Sequence, residues 1–224
     1  MKSQLPACIF FDLDGTLVDS LPGIEFSVRE AFRACKLPEP KESLREIIGP
    51  PIRSILSRAG KVVEESRLDA LERAFRASYD SEGWQMAVCF PNANDVLRTM
   101  HDRGHRLFVV SNKPRHISLQ ILKRECFYDY FEAIVTRDSR WPHYQGKPEM
   151  IADLLAERGI ARENCLMVGD TIEDANTAAT SGIRFAWATY GYGTTVQMTA
   201  MPVAYKLESL SQFLPLMTEE MVRD

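Results

Sequence analysis

The chain has 224 residues, 45% of them hydrophobic, and a formal net charge of −4 with both signs spread along its length; this excludes a disordered chain and leaves no basic surface for a nucleic-acid backbone. Its five cysteines (Cys8, Cys35, Cys89, Cys126 and Cys165) are odd in number and lack paired spacing, so neither a disulfide framework nor a zinc site is predicted and they are read as packing residues. The N-terminal MKSQLPACIFFDLD has no signal-peptide form and no run reaches transmembrane length, so the expectation is a soluble cytoplasmic protein without membrane or nucleic-acid partners.

In chain order, the first apolar run, 7–11, predicts a buried strand. It ends in Asp12 and Asp14, within FFDLDGTLVDS. Asp14-Gly15 between apolar stretches is also a hairpin signal, which would leave Asp12 a solvated strand end. Beyond Gly15, however, Leu17, Leu21, Ile24, Val28, Ala31 and Phe32 recur at helical spacing. The local order is therefore strand, acidic loop, helix. Helical patterns at 21–34, 43–48, 52–58 and 68–79 fill the interval up to Phe90, far longer than the roughly dozen residues a parallel crossover needs. They predict a small all-helical domain inserted after the first strand, with Gly49-Pro50-Pro51 as a sharp turn inside it. From Phe90 onward, helices at 93–102, 116–125, 149–158 and 174–181 alternate with strands at 107–110, 133–135, 165–168 and 183–188. That alternation predicts an α/β fold with a parallel sheet covered on both faces, and the unbroken apolar runs fit strands buried on both sides.

Polar residues of a consistent kind fall at four of these strand ends. Asp12 and Asp14 close the first; Ser111, Asn112 and Lys113 close the second; Lys147 opens the helix after the third; Gly169, Asp170 and Asp174 follow the fourth. In an open parallel sheet all four face one edge, where ligands bind. Three carboxylates gathered there without a charge partner repel one another, and a hard divalent cation, Mg²⁺ above all, resolves that. A lysine and a hydroxyl opposite such a cation make a holder for a phosphoryl group. One carboxylate can then attack phosphorus and form an acyl phosphate. The second, one residue away, can protonate the departing alkoxide and deprotonate the incoming water.

Each of these residues also has a plainer reading. Asp14 fits a turn, Ser111-Asn112 a helix cap, and Lys147 before Pro148 a solvated loop lysine. Asp174 fits a capping box over Thr171-Ile172-Glu173-Asp174, and Glu173 a solvated face. The histidines His101, His105, His116 and His143 share no ligand spacing and are read as surface residues. The joint order of acid pair, hydroxyl, lysine and acid carries the catalytic reading.

The motifs FDLDGTLVDS, Ser111 in VVSNK, Lys147 in QGKPEM, and VGDTIEDANTA together resemble the haloacid dehalogenase superfamily over nearly the whole chain. The resemblance implies a Rossmann-like core formed by 1–18 and 86–224, with 19–85 as a helical cap. It implies that Asp12 is the nucleophile and Asp14 the general acid/base. Ser111, Asn112 and Lys147 would bind the phosphoryl group, and Thr16 would position the acid pair. Mg²⁺ would be held by Asp12, the Asp14 backbone carbonyl and Asp170, with Asp174 supporting through water. The namesake dehalogenases lack the second aspartate, so Asp14 argues against dehalogenation.

Within the superfamily, IIGPPIRSIL, EMIADLL and YGYGTT resemble the phosphoglycolate phosphatase-like branch, whose relatives include 5'-nucleotidases and pyrophosphatases. This implies a Mg²⁺-dependent phosphomonoesterase acting on a small phosphorylated metabolite such as phosphoglycolate, as a monomer or homodimer. Arg53, just after the Gly-Pro-Pro turn, reads either as a cap residue reaching a substrate carboxylate or as an exposed helix arginine. Two departures stand out. Glu149-Met150 follows Lys147-Pro148 where many relatives have a second proline, and RDSRWPHYQ, 137–145, is rich in aromatic and basic groups, either for packing or to shape the entrance. Beyond the other hydrolases of the branch, rival readings are a sugar-phosphate mutase of the same fold, a receiver-type signalling domain, against which the helical insertion argues, and an inactive scaffold, against which the complete set of groups argues.

Overall fold

The structure, a computed structural model, describes residues 6–60 and 64–218. Its strands are β1 (Cys8–Phe11), β2 (Val18–Asp19), β3 (Val88–Cys89), β4 (Arg106–Ser111), β5 (Ala133–Thr136), β6 (Cys165–Gly169), β7 (Arg184–Ala188) and β8 (Tyr205–Leu207). Among the described residues six of them form one sheet in the order β5-β4-β1-β6-β7-β8, with every neighbouring pair parallel. Successive side chains of a strand point to opposite faces. Ile9, Phe11, Val109 and Val168 accordingly enter one core, while Phe10, Phe108, Val110 and Met167 enter the other. A strand with both faces buried has no solvated position, which is why these runs are apolar without interruption.

Between β2 and β3 the chain builds helices α1 (Leu21–Ala34), α2 (Ile52–Ala59) and α3 (Glu65–Ser81). Their apolar stripes meet through Val28, Phe32, Leu56, Leu71 and Phe75, which are at most 5% exposed. The following helices cover the sheet. α4 (Ala93–Asp102) and α5 (Arg115–Arg124) lie on one face through Val96, Leu97, Ile117 and Ile121; α6 (Lys147–Arg158) and α7 (Ile172–Ser181) lie on the other through Met150, Ile151, Leu154 and Ala178. The result is the expected Rossmann-like α/β core. No helix among the described residues is long and apolar enough to cross a membrane.

One local expectation changes, over 43–48; the hairpin reading argued against above is excluded, and short strands without a sequence signal appear. The hairpin at Asp14-Gly15 does not pair with β1, whose neighbours are β4 and β6. Instead the chain turns at Gly15 (φ +82°), and β2 pairs with the distant β3. The helix expected over 43–48 is reduced to a single 3₁₀ turn, Arg45–Ile47. There the Glu25 carboxylate takes the Ser43 hydroxyl and the Leu44 N–H, both at 2.8 Å, and the prolines after Gly49 keep the chain from continuing as a helix. The edge strand β8 carries no apolar run, so its short Tyr-Lys-Leu sequence gives no strand signal of its own.

Candidate active site

The parallel topology brings the carboxyl ends of β1, β4 and β6 to one edge, and the candidate residues meet there. Asp12 follows β1, its N–H donating to the Val168 carbonyl at 2.9 Å. Lys147, at the start of α6, points into the same spot and is 2% exposed. Its Nζ lies 3.0 Å from Asp12 Oδ2 and 2.6 Å from Asp174 Oδ1. The solvated-loop reading of Lys147 is therefore excluded. The other Asp174 oxygen accepts the Thr171 N–H at 3.0 Å and the Thr171 hydroxyl at 2.7 Å. Asp174 thus completes the capping box of α7 and also stands in an acidic cluster.

Asp12, Asp170 and Asp174 are all buried, each offering an oxygen within 4.8 Å of the others. Asp170 is held by Thr16 Oγ1 at 2.9 Å and by the Tyr192 N–H at 2.7 Å. Thr16 thus reaches Asp170 through its hydroxyl, while its N–H donates to the carbonyl of Leu13, between the two aspartates, at 3.3 Å. Gly15 and Gly191 both abut Asp170, where a Cβ on either would overlap its side chain. Tyr192 Oη accepts the Ser20 and Leu21 N–H groups at 2.8 and 3.1 Å and donates to Asp19 at 2.9 Å. The YGYGTT segment thus fastens Asp170 to the start of α1, a structural use the sequence alone did not reveal.

Two of the three buried carboxylates, Asp12 and Asp174, share the one Lys147 ammonium, and Asp12 Oδ1 has no hydrogen-bond partner among the described residues. An orphaned buried oxygen beside two further carboxylates fits a hard divalent cation, which takes oxygen ligands of this kind. Without one, burial pushes Asp12 from its ordinary 3.8 up to about 7, opposed by Lys147 and reinforced by Asp174 and Asp14. Asp170 is likewise raised, first by burial and then by Asp174 and Asp12. Burial opposes the charge on Lys147, but Asp12 and Asp174 outweigh it and hold the ammonium above its usual range.

These shifts carry a sign. A folded-state Asp12 that titrates near 7, against 3.8 unfolded, holds a proton that the unfolded chain has released, so its contribution to stability is full below about pH 4 and lost as the pH rises through 7. The cation-free protein is thus expected to lose thermal stability between pH 5 and about 8. Mg²⁺ is expected to raise the melting temperature most at the upper end of that window. Thermal denaturation across pH with chelator and with Mg²⁺ checks this, and a Mg²⁺ effect that shrinks with rising pH contradicts it.

Asp14 stands apart from the cluster. Its carboxylate is paired with Lys113 Nζ at 2.8 and 3.1 Å, and the same ammonium donates to Tyr79 Oη of α3 at 2.7 Å. Lys113 is buried; burial opposes its charge, yet Asp14 and Tyr79 hold it above its usual range. The sequence reading places Lys113 at the strand end beside Ser111 and Asn112 but gives it no role, and it misses Tyr79, since nothing local announces a contact between β4, the Asp14 turn and α3.

Ser111 and Asn112 both reach the cleft. Ser111 Oγ accepts the Lys113 N–H at 3.3 Å, so its own hydrogen is free to donate. The Asn112 amide nitrogen is engaged by Glu173 Oε1 at 2.7 Å, so Asn112 braces α7, and Glu173 is not merely a solvated face. The cleft encloses about 480 Å³ between these groups and the helices α1 to α3. Arg53 lines it, but its terminal nitrogens sit on Glu65 at 2.6 Å and Asp69 at 2.5 Å. In this arrangement its guanidinium is not free to receive a substrate carboxylate. His116, His143 and Arg137 also border the cleft; the two histidines are exposed, as read from the sequence, and they and part of the 137–145 loop stand at its entrance.

Comparison with known proteins agrees with this geometry. The family described as haloacid dehalogenase-like hydrolase matches residues 9–188. A phosphoglycolate phosphatase from Pasteurella multocida is 29% identical over 218 residues, covering 93% of this chain and 97% of that protein. A 5'-nucleotidase from Pseudomonas aeruginosa is 32% identical over 212 residues, covering 92% and 94%. The solved structure of a haloacid dehalogenase-like family hydrolase from Streptococcus pneumoniae is similar with a TM-score of 0.85 at 25% identity, covering 94% of this chain and 97% of that one. The chain belongs to the haloacid dehalogenase-like hydrolase family.

Proposed function

We propose that this phosphatase hydrolyses small phosphate monoesters with Mg²⁺ through an aspartyl phosphate on Asp12, its substrate being a metabolite of the kind named for its relatives, phosphoglycolate or a nucleoside monophosphate. The observation that carries the reading is the division of the two aspartates. Asp12 keeps one oxygen without a partner among the described residues and stands in a buried cluster with Asp170 and Asp174, while Asp14 lies outside that cluster, paired with Lys113. One carboxylate is thereby offered to phosphorus and the other to the leaving group.

In the first step an Asp12 oxygen attacks phosphorus, the ester P–O bond breaks, and Asp14 delivers a proton to the departing alkoxide. In the second, Asp14 takes a proton from water as it attacks phosphorus, and the acyl phosphate releases inorganic phosphate and regenerates Asp12. Lys147 and the Ser111 hydroxyl meet phosphoryl oxygens. Asp12, the Asp14 carbonyl and Asp170 would hold Mg²⁺, with Asp174 in support; when bound, it offsets repulsion between the carboxylate and the phosphate. Residues 19–85 act as a cap that excludes water around the transfer, and 1–18 with 86–224 act as the core.

Phosphate release from phosphoglycolate, nucleoside monophosphates, pyrophosphate and hexose phosphates, with and without Mg²⁺, tests the reading. Release that needs Mg²⁺ supports it; isomer formation from hexose phosphates without release would mean a mutase. The Asp14→Asn variant separates the two steps. With p-nitrophenyl phosphate, whose leaving group needs no proton, it is expected to give a burst of about one equivalent of nitrophenolate, followed by steady turnover slowed about 10²- to 10⁴-fold. Stopped-flow absorbance reads this directly, and unslowed turnover would remove Asp14 from the chemistry.

A further inference from the structure

The wall of the cleft opposite the catalytic floor is built from Ile24, Ile48, Ile52, Ile55 and Phe75. The cations on that wall are already neutralised. Arg53 is held by Glu65 and Asp69, and Arg76 by Glu72 at 2.9 Å. Glu72 and Asp80 border the cleft as well, but Glu72 is paired with Arg76 and Asp80 stands 3.2 Å from His116 Nε2, so the helical side faces the substrate with apolar surface and charges that already have partners. The cleft's 480 Å³ lies within the roughly 300–1,000 Å³ typical of sites for ligands of many heavy atoms, well beyond the need of a two-carbon acid.

We infer that the cleft selects phosphate monoesters whose alcohol carries an uncharged apolar or aromatic body, and disfavours those whose alcohol ends in a carboxylate. The inference rests on the phosphatase reading above and decides between the two kinds of substrate named there, for esters with an uncharged aromatic body such as a nucleoside monophosphate and against phosphoglycolate. An apolar body of phenyl size leaves water against Pro50, Pro51 and Ile52, which line the cleft with open surface in front of the buried Ile55 and Phe75, and this increases kcat/KM about tenfold to a hundredfold. A carboxylate in the same place loses hydration beside Glu72 and gains no free cation there. On the floor side, Arg137 borders the cleft and its recorded contact is with the Tyr144 carbonyl, at 3.3 Å. With His116 and His143, which border the cleft too, it is a position from which a carboxylate could be received.

The test compares kcat/KM of the full chain with Mg²⁺ for ethyl phosphate, 2-phenylethyl phosphate and 2-phosphoglycolate. All three are esters of primary alcohols, so differences report recognition of the leaving group. The expected order places 2-phenylethyl phosphate about tenfold or more above ethyl phosphate, with phosphoglycolate no better than ethyl phosphate. Phosphoglycolate above both, with its advantage lost in Arg137→Ala, would overturn the inference and assign carboxylate recognition to the floor side. Equal values for all three would overturn it as well. No release from any of them or from p-nitrophenyl phosphate would instead overturn the phosphatase reading, and the inference with it.

Discussion

Asp12→Asn is expected to lower Mg²⁺-dependent phosphate release by at least about a thousandfold, because on the proposed mechanism it removes the attacking oxygen rather than weakening binding. The change keeps the side-chain shape and deletes one of three buried acids, so the fold should not suffer. With burial and its acidic neighbours already pushing Asp12 up to about 7, the cation-free variant is expected to melt at the same temperature as the parent or higher above pH 7. Activity and melting temperature therefore move in different directions. Steady-state release beside thermal denaturation reads both, and retained turnover in a folded Asp12→Asn protein would mean that no covalent Asp12 intermediate forms.

The second large effect is expected from Lys147→Met. The ammonium is buried between Asp12 and Asp174, and its loss leaves both carboxylates without their cation. Breaking a buried pair from one side costs about 3–5 kcal/mol, on the order of 10 °C in a chain of this length. Phosphate binding falls as well, since no positive side chain remains at that point of the floor. Asp174→Asn added to Lys147→Met is expected to recover part of the lost stability, because one of the stranded charges is gone. Thermal denaturation of the two single variants and the double variant measures the coupling, and strictly additive losses would show that the two side chains do not act on each other.

The parts of the site that could be read from the sequence are those carried by short local spacing. Asp12 and Asp14 at the end of an apolar run, Lys147 at a helix start and Asp170 after a strand each sit at a position fixed by their own segment, and the parallel sheet then brings those ends together. Contacts between distant segments left no such trace. Thr16 reaches Asp170 across 154 positions of chain, and Lys113 reaches Asp14 across 99. The fate of Arg53 depended on α3 offering Glu65 and Asp69 on the facing turn, which a helical pattern alone does not fix. The core strands were legible because both their faces are buried, whereas β2, β3 and β8 are too short to show a pattern. The YGYGTT segment was recognisable as a motif, but its work of packing against Asp170 depends on backbone approach that only the folded chain makes visible.

The central claim is a phosphoryl group carried on Asp12, and borohydride trapping addresses it most directly. The protein is mixed with p-nitrophenyl phosphate and Mg²⁺, quenched in acid during turnover and treated with borohydride, which reduces an aspartyl phosphate to homoserine. Peptide mass spectrometry then locates the reduced residue. Homoserine at position 12, dependent on both substrate and Mg²⁺ and more abundant in Asp14→Asn, is the expected result. Reduction at another position, or none at any position while phosphate is being released, would contradict the account.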